Sequence, residues 1–175
     1  MRVFLPVLIA ALTVVGLVSQ TIHACGDKFL LVGRGVKFQR AYAAIYPASI
    51  VIYAQSQRSA AKAIRDPRLQ TDLKQAGHRV VLVDSEAALA RALESDKVDL
   101  VLTDVADADR TSKQGATSPS RPTVLPVMYE PTQAEAKEIE ARYQCRLKSS
   151  DRVDRYLVTI DDAMKTRAAQ KKRTS

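Results

Sequence analysis

The chain carries its hydrophobic residues in two alternating rhythms. Ser49-Ile-Val-Ile-Tyr53, Arg79-Val-Val-Leu-Val83, Val98 to Val105, Thr123 to Tyr129 and Cys145-Arg-Leu-Lys148 are short apolar runs bounded by turn residues. Their length and β-branched content predict strands. Val98 to Val105 is apolar except at Asp99, Thr103 and Asp104, the composition of a strand covered on both faces. Between these runs the period lengthens to that of a helix. Arg58 to Gln75 predicts a helix interrupted near Asp66-Pro67 and ended by Gly77, a well-placed C-cap glycine. Asp84-Ser85 can cap a helix whose Ala88, Leu89, Ala92 and Leu93 share a face. Pro131 opens another, through about Arg142, with Glu135 and Glu138 near its front. Asp151 to Ala168 closes with Val153, Tyr156, Leu157, Ile160 and Met164 inward. One connection breaks the rhythm. Residues 106–122 hold Gly115, Pro119, Pro122 and many Ser and Thr, which predicts a long loop with little helix.

Strands that alternate with helices make a parallel sheet, with right-handed crossovers placing helices on both faces. The expected architecture is therefore a three-layer α/β/α domain over residues 48–168 with five parallel strands. A face left bare by a loop at 106–122 would need another cover, and the candidate within the chain is the segment 26–47.

The amino-terminal part follows different rules. Met1-Arg2 precedes Val3 to Val18, an apolar run interrupted only by Pro6, Thr13 and Gly16, and Ile22-His23-Ala24 ends it with a small residue. This is the pattern of an export signal over residues 1–24, cleaved after Ala24. Residues 25–47 form an extension: a strand at Phe29 to Val32, a tight turn at Gly33-Arg34-Gly35, and a helix ended by Pro47. Its Phe38, Tyr42, Ile45 and Tyr46 make one stripe, expected to be core; facing outward, Phe38, Tyr42 and Tyr46 would instead form a partner surface. The Gly33-Arg34-Gly35 turn can offer backbone amides to an anion, although Phe38 stands where a dinucleotide loop has its third glycine.

Export alters the reading of cysteine and charge. Cys25 and Cys145 are the two cysteines of the chain, and an oxidising compartment favours their pairing; the alternative is acylation of Cys25, which would hold the protein on a membrane. The formal net charge is +8. Five basic residues, Lys165, Arg167, Lys171, Lys172 and Arg173, sit in the last eleven with no acid among them, and residues 25–164 hold 21 basic against 19 acidic side chains. The excess thus belongs to the end of the chain, read as a disordered basic tail over 169–175, and not to a face that could track nucleic-acid phosphates. Such a tail solubilises, or it meets anionic lipid or an acidic partner.

The stretch from Leu73 through Gly77-His78 and Val80-Val-Leu-Val-Asp-Ser85 to Leu93, followed by Val98-Asp-Leu-Val-Leu-Thr-Asp104, resembles the receiver domain of bacterial response regulators, loosely from Ala48 to about Arg167. The resemblance implies a flavodoxin-like sheet of order 2-1-3-4-5, with Asp104 where that family is phosphorylated and Lys148 where it keeps a lysine. The rest of the site departs from the family. Tyr53-Ala54-Gln55 replaces the paired acids that hold magnesium, Met128-Tyr129 replaces a Ser or Thr, and Ser149 follows Lys148 where the family has proline. A hard divalent cation needs carboxylate oxygens, which Asp104 alone supplies poorly.

The sequence therefore predicts an exported, non-catalytic interaction module without cofactor, metal or phosphorylation, periplasmic or secreted, whose partner is a protein or a second copy. The alternative is a small-molecule binder or enzyme with Gln55, Asp84, Asp104 and Lys148 lining the crevice at the carboxyl ends of the strands. In either case Asp104 is expected to pair with Lys148, and His78 to lie at the surface of the opposite end.

Overall fold

A computed structural model describes residues 43–55, 59–95, 97–143 and 145–174. Its elements follow in the order β1 (Ser49–Tyr53), α1 (Ser59–Ile64), α2 (Pro67–Gln75), β2 (Arg79–Val83), α3 (Glu86–Leu93), β3 (Leu100–Asp104), α4 (Val105–Thr117), β4 (Thr123–Met128), α5 (Gln133–Arg142), β5 (Leu147–Lys148) and α6 (Val153–Thr174). All strand pairs are parallel, in the order β2-β1-β3-β4-β5. The chain therefore forms the five-stranded parallel sheet between helical layers that its alternating pattern predicts, in the flavodoxin-like order that the resemblance implies.

Side-chain alternation divides the core in two. Ile50, Ile52, Leu100, Leu102, Leu125 and Val127 point to the face covered by α1, α2 and α6, where Leu73, Tyr156 and Ile160 meet them. Val51, Tyr53 and Val101 point to the other, where Leu89 and Leu93 of α3 pack. The helix boundaries have identifiable causes. Asp66 caps α2 with Pro67 as its first residue, so the interruption near Asp66-Pro67 splits two helices. Gly77 takes φ 101°, its amide donates to the Lys74 carbonyl and that of His78 to Leu73, a Schellman ending that requires the left-handed residue. Ser85 caps α3, and Thr132 and Glu135 close a capping box on α5.

Several expectations are corrected. Residues 106–122 are not a loop, because α4 runs from Val105 to Thr117 and covers the sheet beside α3. Its buried stripe is Ala108, Thr111 and Gly115, small residues that seat the helix close on the sheet without the large apolar side chains that signal a buried face. The face that a loop at 106–122 would leave bare is covered by α4; Val81 and Leu82 of the edge strand β2 stay 48% and 41% exposed, and residues 26–42 lie outside the described residues.

His78 is not a surface residue. It is buried at 4% exposure, and its Nδ1 accepts the Ala48 amide at 3.2 Å. The predicted stripe is not core at its described end, where 43–48 are irregular, Ile45 is 75% exposed and Tyr46 36%. Backbone bonds fix this strap: Ala44 donates to the Ala76 carbonyl, and Ile45 and Tyr46 donate to the buried carboxylate of Asp161. The basic tail is not disordered over its described length, since α6 continues through Thr174. The fifth strand is shorter than predicted, Leu147–Lys148.

Candidate functional site

Open parallel sheets place their functional groups at the carboxyl ends of the strands. Here that end is occupied by a polar cluster centred on Arg110 of α4. Its Nη2 lies 2.7 Å from Asp107, 3.3 Å from the Gln55 side-chain oxygen and 3.4 Å from the Tyr53 hydroxyl, and its Nη1 lies 3.6 Å from Glu86. Tyr53 also donates to Gln55, and Gln114 donates to Glu86 at 3.0 Å. The guanidinium therefore ties the end of β1 to the front of α3. Burial pushes the Tyr53 phenol above its ordinary value, and Arg110 partly opposes that rise. At the other side of the β1 end, Arg65 of the loop after α1 donates to the Ala54 carbonyl.

Asp104, buried at 3% exposure, ends β3 and caps α4, with Oδ1 accepting the Ala106 amide at 2.9 Å. That bond uses the carboxylate structurally, at the positive end of a helix dipole. Lys148 stays exposed. Its backbone amide donates to Asp151 and its carbonyl accepts from Tyr156, and among the described residues no ion pair joins it to Asp104, which corrects the expected pairing. Asp84 is exposed past the end of β2 and is not among the partners of Arg110. Of the four residues predicted to line one crevice, the structure thus draws Gln55 into the Arg110 cluster, gives Asp104 a capping role, and leaves Asp84 and Lys148 at the rim. Gly33, Arg34, Gly35, Phe38, Tyr42 and Cys25 lie outside the described residues; Cys145 is buried at 6% exposure.

A second set of bonds fixes α4 to the end of α5. Asp109 accepts from Arg142 and, at 2.7 Å, from the Tyr143 hydroxyl, and these bonds hold the Asp109 carboxyl below its ordinary range. Two open depressions of about 290 and 270 Å³ flank α4, one against Leu93 and Glu94 of α3, the other against Met128, Tyr129 and Ile139. Glu94 borders the first and Glu135 and Glu138 the second, and neither is lined by a Lys, Arg or His. Among the described residues no three His, Cys, Asp or Glu side chains converge as a metal ion needs. The residues present do not fit the magnesium site of a receiver: Ala54 and Gln55 stand where its paired acids would, Asp107 and Glu86 are paired with the Arg110 guanidinium, and Asp104 caps a helix.

Sequence reasoning missed Arg110 because it lay inside a predicted loop. The signal was present, since Asp107, Arg110 and Gln114 recur at three- and four-residue spacing on the face next to Ala108, Thr111 and Gly115. Compared with protein-family models, curated proteins and solved structures, the chain matches none.

Proposed function

We propose that the chain is an exported, non-catalytic interaction module built on a receiver-like scaffold that is not phosphorylated. The observation that carries this reading is the Arg110 cluster. Arg110 binds Gln55, Tyr53, Asp107 and Glu86 together, and Gln55 stands where the resemblance puts an acid of a receiver's metal site, which supports a reading without phosphorylation. Asp104 spends its carboxylate on the Ala106 amide, which supports a structural role for the aspartate that the resemblance places at the phosphorylation position. Exchange of protein hydrogen bonds for a doubly charged phosphoryl group is unfavourable where Ala54 and Gln55 replace the paired acids that would hold its counter-ion and Asp107 and Glu86 are already paired with Arg110. Function then lies on the surface, in contact with a protein or a second copy.

The Val3 to Val18 run and Ala24 support export, and export supports a bridge between Cys25 and Cys145. Incubation of the purified chain with acetyl phosphate and magnesium, read by intact mass, tests the reading. No added phosphate is expected, and an adduct lost in Asp104→Asn would overturn it.

A further inference from the structure

The two ends of the sheet differ in charge, and the amino end also carries exposed apolar groups. Helix α6 starts beside the end of β5, where Tyr156 bonds the Lys148 carbonyl, and runs back to the amino end, where Arg167 donates to the carbonyls of Ser120 and Arg121 and approaches Asp99. From Arg167 to Thr174 it continues for about 10 Å at the helical rise. Lys171, Lys172 and Arg173 are exposed on that projection. Arg79 at the start of β2, Lys97 before β3 and Arg121 before β4 are exposed at the same end. Glu94 and Asp99 accompany them, and Asp99 is engaged by the Ser49 amide and Arg167.

Ile45 and Tyr46 stand on this end as well, among the exposed large hydrophobic residues, on a strap whose amides are held by Asp161 of α6. An aliphatic side chain, a tyrosine with a polar tip and a ring of Lys and Arg on one surface are the components of a peripheral contact with a bilayer. An acidic protein would answer the charges alone; the exposed Ile45 and Tyr46 beside them favour lipid.

We propose that the amino end of the sheet is a membrane-docking surface for anionic phospholipid, with Lys171, Lys172 and Arg173 at the headgroups and Ile45 and Tyr46 at the interface. The proposal rests on the reading of the chain as an exported interaction module. The two fail separately, because phosphate on Asp104 would end that reading without altering lipid contact, and absent lipid contact leaves the phosphate result unchanged.

The test uses the full chain with vesicles of phosphatidylcholine alone or with about one-third phosphatidylglycerol, and reads modification of individual lysines by a water-soluble amine reagent. Each basic residue near an anionic bilayer strengthens partitioning about fivefold, so the phosphatidylglycerol vesicles should protect Lys172 by about fivefold or more relative to Lys137 of α5. Phosphatidylcholine should not, high salt should reverse the effect, and the double variant Ile45→Ser, Tyr46→Ser should weaken protection several-fold. Equal modification with both vesicles overturns the proposal, as does protection by soluble polyglutamate equal to that by phosphatidylglycerol vesicles, which would assign the surface to an acidic macromolecule.

Discussion

Protonation of His78 should loosen the strap that carries Ile45 and Tyr46, and the sign and scale follow from its surroundings. The ring is buried at 4% exposure with Nδ1 accepting from Ala48, so the neutral form carries its proton on Nε2, which has no partner among the described residues. Burial lowers the pKa below its ordinary 6.5, and the nearby carboxylate of Asp161 opposes that shift in part. The folded state therefore takes up the proton at lower pH than the unfolded chain. Stability from the neutral ring is fully present above about pH 6.5 and falls as pH drops below it, by at most about 1.4 kcal/mol per pH unit, until the folded pKa is reached. His78→Leu removes the acceptor and leaves a buried N–H unpaired, at a cost of about 1–3 kcal/mol. His78→Asn sets an oxygen near the place of Nδ1, so it should keep part of that bond and lose the pH dependence. Urea unfolding from about pH 7.5 to 5 measures all three proteins. An acid slope in His78→Asn equal to that of the parent, or a parent that gains stability as pH falls through this window, would refute the reasoning.

Gly115→Ala should stabilise α4 by about 0.5–1 kcal/mol, because the helix gains propensity and the new methyl would meet the Pro122 ring at 3.4 Å, an ordinary contact; a fall in the urea midpoint would contradict it. The bridge between Cys25 and Cys145 should show as a gain of two hydrogens in intact mass on reduction and a loss of about 2–5 kcal/mol in stability. A diacylglycerol adduct on Cys25, or two alkylatable thiols without reductant, contradicts the bridge.

The strands were legible because their signal is local and large. Ile50, Ile52, Leu100 and Leu102 are fully buried, and the β-branched runs that contain them stop where turn residues begin. The break at Pro67 and the Gly77 ending were legible for the same reason, since proline and left-handed glycine leave few alternatives. Helix α4 was not, because Ala108, Thr111 and Gly115 bury little area each and show no apolar period. Its cap, Asp104, reads equally well as the last residue of a strand. With α4 hidden, Arg110 had no helix to place it, and the site was drawn from Gln55, Asp84, Asp104 and Lys148 alone. His78 follows a helix-ending glycine, a position that is exposed in most turns; only the return of residues 44–48 and of α6 past it makes it interior. Contacts between segments so distant in sequence leave no periodicity to read.

The proposed function turns on the carboxyl end of the sheet, where Arg110 is bonded to Gln55 and paired with Asp107 and Glu86. Titration of magnesium chloride into the isotope-labelled chain, followed through the backbone amide spectrum, tests it most directly. The account predicts that the amides of Ala54, Gln55 and Ala106 show no saturable shift as magnesium is raised to about 10 mM. Saturable shifts centred on those three amides would contradict it, because they would place a cation where the structure has a guanidinium.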